Sequence, residues 1–181
     1  MQVSGYKMQD KLIKIAVVGP ESTGKSVMGQ ALATHFDTVC VPEFARFYCE
    51  DLDRPYTLGD ETAIFHGQLA IEKAMTPLAR HNLLICDTMI LTVKIWCDHL
   101  FGVTPPVVLD ALQKVDYDLY LLMDIDLPWE EDPMRDFPDE REHFMQIWHQ
   151  ELQALGARYE VVSGLGNIRL KNALEKILRF Q

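Results

Sequence analysis

The sequence predicts an α/β protein, with a five-stranded parallel sheet covered by helices on both faces and built around a phosphate-binding loop. Two observations predict it. Short apolar runs of strand length alternate with longer helical patterns along the chain, the arrangement that buries a parallel sheet between helices. The first apolar run leads straight into Gly19-Pro20-Glu21-Ser22-Thr23-Gly24-Lys25-Ser26, which fits G-x-x-x-x-G-K-[ST] in its strand–loop–helix context.

Residues 1–10 read as a flexible lead-in, and residues 12–18 as a central strand apolar enough for burial on both faces. A helix follows from Lys25 to about Phe36. Residues 38–41 form the second strand, stopped by Pro42, and Glu43 opens a short helical or irregular segment. After a loop marked by Pro55 and Gly59, Asp60 is the expected N-cap of a long helix over residues 61–80, which Pro77 kinks or ends early. Residues 83–87 make the third strand, 88–100 a helix, and Pro105-Pro106 starts another through about Lys114. The fourth strand covers 118–123, and a charged, proline-bearing lid covers 126–141. A helix over 140–155, a fifth strand over 159–162 and a last helix over 167–180 complete one domain over residues 1–181. There is no internal repeat and no linker long enough to separate two domains.

Each residue type in the loop has a chemical reason. Gly19 and Gly24 let the backbone turn so that successive N–H groups face a phosphate. The helix starting beside Gly24 adds unpaired N–H groups and the positive end of its dipole. Lys25 reaches the β- and γ-phosphates, and the Ser26 hydroxyl completes a Mg²⁺ shell. Glu21, Ser22, Thr23 and Val27 complete the set expected to line the nucleotide.

Composition narrows the partners. The 181 residues carry a net charge of −10, with no polybasic run or aromatic-and-basic stripe, so neither nucleic acid nor an anionic membrane is an expected partner. The cysteines, Cys40, Cys49, Cys86 and Cys97, lie in apolar segments without CxxC spacing and read as reduced thiols. No apolar run reaches membrane-spanning length, and the polar start lacks a signal-peptide core, so a cytoplasmic protein is expected. His35, His66, His81, His99, His143 and His149 lack metal-ligand spacing and read as structural or surface residues.

Three further places carry chemistry. Asp87 ends the third strand, where an acid is costly unless it faces a positive charge, and the strand context aims it at the Mg²⁺. Capping the next helix is its alternative role. Glu43 stands at the C-terminal edge of the second strand, the rim where open α/β sheets bind ligands. A carboxylate there can accept the proton of an attacking hydroxyl, with Arg46 holding the acceptor or the moving phosphoryl group. A surface Glu–Arg pair is the alternative. Arg135 and Arg141 in the lid can counter phosphoryl charge as the lid excludes water, or serve as solvated ion-pair partners.

Taken together, GPESTGKS with Glu21 inside it, PEFAR containing Glu43 and Arg46, Asp87-Thr88, and WEEDPMR from Trp129 to Arg135 resemble the ribosylnicotinamide (nicotinamide riboside) kinase family. The likeness runs from about Lys14 to Leu178 and is to the kinase domain at the C-terminus of the bacterial bifunctional NAD-salvage regulator. It implies the nucleoside and nucleotide monophosphate kinase fold with sheet order 2-3-1-4-5, ATP and Mg²⁺ as cofactors, and a small nucleoside-like substrate. It also places the adenine near the loop after the fifth strand, where backbone atoms and Asn167 would meet it. Two departures stand out. Asp87-Thr88-Met89 replaces the Asp-Thr-Asp common in the family, and Asp132-Pro133 replaces an Asp-Gly before the lid arginine. With no room for adenylyltransferase or DNA-binding parts, a stand-alone kinase is expected.

The leading reading is transfer of the ATP γ-phosphate to a nucleoside-like hydroxyl, nicotinamide riboside being the best single acceptor. Catalytic roles then fall to Lys25, Glu43, Asp87 and Arg135, acceptor contacts to Glu43, Arg46 and Asp87, and metal contacts to Ser26 and Asp87. A kinase for another nucleoside, nucleotide or small metabolite is the runner-up, and a regulatory ATPase stands third. A GTPase switch would carry N-K-x-D, which is absent.

Overall fold

The computed structural model describes residues 11–50, 52–133 and 135–180. The lead-in expected over residues 1–10 and Met134 of the lid lie outside them. The strands β1 (Ile13–Val18), β2 (Cys40–Val41), β3 (Leu83–Asp87), β4 (Leu119–Met123) and β5 (Tyr159–Val162) form one sheet. All its pairings are parallel, in the order β2-β3-β1-β4-β5.

The period-2 alternation of a strand divides β1 between two cores. Ile13, Ile15 and Val17 pack with Leu32 and Ala33 of α1 (Lys25–His35) and with Ala173 and Ile177 of α7 (Gly166–Phe180). Ala16 and Val18 face the other way. They join Ile64 and Phe65 of α3 (Leu58–Met75), Leu91 and Ile95 of α4 (Leu91–Phe101), Val108 of α5 (Pro106–Leu112), and Phe144 and Trp148 of α6 (Arg141–Ala154). Ile15, Ala16, Val17 and Val18 are all at 0% exposure, so β1 is the buried axis that holds the loop after it.

Three expected boundaries move, each for a local reason. The long helix is capped by Thr57, not Asp60. Thr57 and Asp60 form a reciprocal capping box in which Asp60 occupies the third helical position. That helix stops at Met75, because Pro77 supplies no N–H and the chain tightens into a 3₁₀ turn over Thr76–Leu78. α4 begins at Leu91 because Thr88 adopts φ 68, which no right-handed helix accommodates.

Between β2 and α3, the helix α2 (Phe44–Glu50) lies across α3. A Cβ on Gly67 would run into the Phe44 ring, so a glycine lets the two helices touch. Cys40, Cys49, Cys86 and Cys97 are all free thiols. Among the described residues, no helix is long and apolar enough to cross a membrane.

Candidate active site

The loop between β1 and α1 is shaped by three residues at positive φ: Gly19 (138°), Ser22 (55°) and Gly24 (75°). A Cβ on Gly19 would lie 2.9 Å from the Met123 carbonyl oxygen, so only glycine lets the loop leave β1 this close to the end of β4. Inside the loop, the Thr23 hydroxyl and the Lys25 ammonium each donate to the Pro20 carbonyl at 2.8 Å. Gly24 is the N-cap of α1 and provides no side-chain cap, which leaves the first N–H groups of the helix for an anion.

Asp87 pairs with Val17 across the β1–β3 ladder, which brings its carboxyl to the start of α1. It is only 4% exposed, and its Oδ1 has no hydrogen-bond partner. Burial raises its pKa, opposed first by a hydrogen bond from Ser26 and then by the charges of Lys25 and Arg46. An orphaned hard oxygen beside a serine hydroxyl is a donor set that fits Mg²⁺.

Glu43 follows β2 and lines the same cavity as the loop. Desolvation pushes its carboxyl pKa up; Lys25 pulls it back most strongly, and Asp87 adds to the rise. Lys25 and Asp87 therefore both act on Glu43, and Lys25 also acts on Asp87, at the C-terminal rim of the sheet. Buried Gln68 of α3 braces the backbone on both sides of Glu43. It accepts from the Phe44 N–H at 2.8 Å and donates to the Pro42 carbonyl at 3.3 Å.

The lid lies against the loop. The Glu130 N–H donates to Ser22 Oγ at 2.9 Å, and the Phe137 N–H reaches Glu21 Oε2 at 3.4 Å. Burial raises the pKa of Glu21, opposed first by that Phe137 N–H. Arg135 donates to the Glu130 carbonyl at 2.5 Å and reaches Ser22 Oγ at 3.4 Å. Arg141 donates to the Leu127 carbonyl at 2.8 Å and the Ser22 carbonyl at 3.3 Å. Arg46 pairs with Asp132 of the lid at 3.1 Å, so the residue expected to hold an acceptor also ties α2 to the lid.

The cavity is about 930 Å³. It runs from Gly19, Lys25 and Ser26 past Glu43 and Arg46 to Tyr56, Glu61 and Phe101. Exposed Val27 and Asn167 and half-buried Arg135 also line it, whereas Asp87 lies just behind its wall.

Local sequence reasoning missed Arg169, Gln68 and Glu61. Arg169 is 4% exposed and donates to the carbonyls of Thr23 (3.1 Å), Asp124 (2.7 Å) and Gly164 (2.9 Å), besides its ion pair with Asp126. One guanidinium thereby joins the phosphate loop to the segments after β4 and β5. The structure also gathers ligand atoms of His99, Glu140 and His143 within 4.8 Å of one another. They come from α4 and the start of α6, so no spacing in the sequence announces them.

A family model described as an AAA domain matches residues 14–169. The chain belongs to that AAA domain family. Within it, the chain is similar to the trifunctional NAD biosynthesis/regulator protein NadR of Salmonella typhimurium, at 27% identity over 130 residues. That match covers 67% of this chain and 30% of the relative, so the chain spans about a third of the length of its curated relatives.

NadR solved in complex with NR superimposes with a TM-score of 0.78 at 17% identity, over 93% of this chain and 50% of that one. NadR in complex with NAD and AMP-PNP gives 0.74 at 18%, over 93% and 49%. Thymidylate kinase from Ehrlichia chaffeensis gives 0.65 at 16% identity, over 93% of this chain and 98% of that one. The fold of this AAA domain is therefore that of the P-loop nucleoside and nucleotide kinases, and the resemblance carried by GPESTGKS and PEFAR is met by NadR itself.

Proposed function

We propose that this chain is an ATP-dependent phosphotransferase acting on the hydroxyl of a nucleoside-like acceptor, with nicotinamide riboside as the acceptor. The observation that carries the reading is the joint position of Lys25 and Glu43 in the wall of a cavity that continues well past the phosphate loop, with Asp87 just behind that wall. A regulatory ATPase has only to admit water beside its γ-phosphate. A cavity of about 930 Å³ reaching Tyr56 and Phe101 has room for a second organic substrate. The similarity to NadR, solved with NR and with AMP-PNP, supports this acceptor and this donor.

In this reading the loop N–H groups and Lys25 hold the β- and γ-phosphates, with Glu21, Ser22, Thr23 and Val27 around them. Ser26 and Asp87 would hold Mg²⁺, which when bound neutralises charge on the phosphate oxygens. The acceptor hydroxyl oxygen forms a bond to the γ-phosphorus while the bond to the β–γ bridging oxygen breaks and ADP leaves. The hydroxyl proton passes to Glu43. Its desolvated carboxyl is a stronger base than an exposed glutamate, and the Lys25 charge opposes the rise. Arg46 steadies the acceptor, Arg135 counters charge on the moving phosphoryl group, and the lid excludes water. Asn167 and the backbone around Gly164 and Gly166 meet the adenine.

The test is ADP release across nicotinamide riboside, common nucleosides and their monophosphates, for wild type and Glu43→Gln. We expect the riboside to accelerate release and Glu43→Gln to slow it by about 10²–10⁴, the scale of a lost general base, with ATP affinity unchanged. Release that no acceptor accelerates would sink the reading in favour of the regulatory ATPase.

A further inference from the structure

Glu61 is a buried acid that the phosphoryl-transfer chemistry does not use. It lies in the first turn of α3, is 1% exposed, and still forms part of the cavity wall. Its Oε1 has no hydrogen-bond partner. Along α3 it stands two helical turns, about 10 Å, before Gln68. Since Gln68 braces Glu43, that spacing is comparable to the length of a nucleoside whose hydroxyl sits at Glu43.

The surroundings make the acid conspicuous. The Tyr56 hydroxyl hydrogen-bonds Glu61, and the Tyr56 ring stacks on Phe101 at 6.4 Å between centroids. Cys49 of α2 and Cys97 of α4 also feel its charge, and its neighbour Asp60 is occupied by Arg54 at 2.7 Å. Burial first, then Asp60, pushes the Glu61 carboxyl up to about 7, opposed by the Tyr56 hydroxyl, and among the described residues no basic side chain is among the influences on it. A buried carboxylate with an open oxygen and no cation is costly. The cost is relieved if a ligand supplies the positive charge, and the Tyr56, Trp96 and Phe101 rings that line the same cavity would also favour a cation.

We propose that Glu61 reads the charge of the acceptor's base: the cavity selects an N-riboside whose aromatic ring is cationic, and Glu61 is its counter-charge. This rests on the phosphotransferase reading above, with an N-ribosyl pyridinium as the acceptor. A neutral nucleoside of the same shape leaves the buried carboxylate uncompensated. Below pH 7 the cation also draws Glu61 into its ionised form, so binding releases a proton.

Calorimetric titration of the wild-type chain with nicotinamide riboside and with its uncharged 1,4-dihydro form tests this. Measurements at pH 6 in two buffers of different ionisation enthalpy report the released proton. The cation should bind about tenfold tighter or more, a difference of 1.4 kcal/mol, and release a proton that the dihydro form does not. Glu61→Gln should abolish both differences. Equal wild-type affinities, or a charge preference that survives Glu61→Gln, overturn the proposal; the wild-type comparison holds even if that variant folds poorly.

Turnover is scored separately. Phosphorylation without charge preference sinks the Glu61 assignment and leaves the kinase reading standing. Charge-selective binding without ADP release does the reverse, and absence of both sinks both.

Discussion

Gln68, buried midway along α3, accepts a hydrogen bond from the backbone N–H of Phe44 at 2.8 Å and so fixes the residue that follows Glu43. A helix interior thus sets the aim of a loop carboxylate. Gln68→Met keeps the volume and loses both hydrogen bonds, leaving the Phe44 N–H unpaired at a cost of about 1–3 kcal/mol. We expect a lower melting temperature and a kcat reduced about tenfold or more by misalignment, with ATP affinity unchanged. A variant that loses stability but keeps its kcat would make Gln68 a purely structural brace.

Burial raises the Asp87 carboxyl, and the Ser26 hydrogen bond and the Lys25 charge oppose that rise. Asp87→Asn removes a charge that is expensive in the metal-free protein, so thermal stability without Mg²⁺ should hold or rise. The Mg²⁺ concentration needed for half-maximal activity should increase about 10- to 100-fold, the usual effect of losing a group close to a metal. Nucleotide binding in chelator should stay near the wild-type value. An unchanged Mg²⁺ requirement would remove Asp87 from the metal site.

Arg169 joins three loops that share no secondary structure, through the carbonyls of Thr23, Asp124 and Gly164. Arg169→Met strands those acceptors and leaves Asp126 without its ion pair. Asp126 is part-exposed and recovers some hydration, so a destabilisation of about 2–4 kcal/mol is expected, below the cost of breaking a fully buried pair. Urea unfolding would read it as a lower midpoint at unchanged slope. A midpoint equal to wild type would show that the loops hold themselves.

The contrast between Lys25 and Arg169 explains what could be read from the sequence. Lys25 lies inside a contiguous motif whose spacing is fixed by the covalent chain, so loop, flanking strand and helix are legible together. The five strands are legible for a similar reason, since each is a local apolar run bounded by breakers. Arg169 sits in an amphipathic helix among other basic residues, and only the fold reveals that it turns inward. Gln68 and Glu61 are polar positions on α3 whose partners, Phe44 and Tyr56, belong to the segments before it. The helix starts earlier than Asp60 alone would place it because Thr57 and Asp60 are both good capping residues, and the reciprocal pair forms with the threonine outermost. His99 and His143 come together across two helices for the same non-local reason.

Glu61 makes a prediction about folding that needs no ligand. An acid whose carboxyl titrates at about 7 in the folded chain, against an ordinary 4.5, binds its proton more tightly folded than unfolded. Folding therefore takes up a proton between those pH values, and by linkage the stability is greatest on the acid side. It falls as pH rises through that window, and the loss is complete above pH 7. The full swing corresponds to about 3 kcal/mol. Other acids contribute in both directions: Glu43 and Asp87 are raised in the same way, while Arg54, Thr57 and Tyr48 hold Asp60 low with the opposite sign. The wild-type curve alone cannot isolate Glu61, but its difference from Glu61→Gln can. The glutamine still accepts from the Tyr56 hydroxyl and carries no charge at any pH. Urea unfolding of both proteins should give similar stabilities near pH 5. Near pH 8 the variant should be more stable by about 2–3 kcal/mol. Parallel curves from pH 5 to pH 8 would mean that Glu61 titrates alike in the folded and unfolded chain.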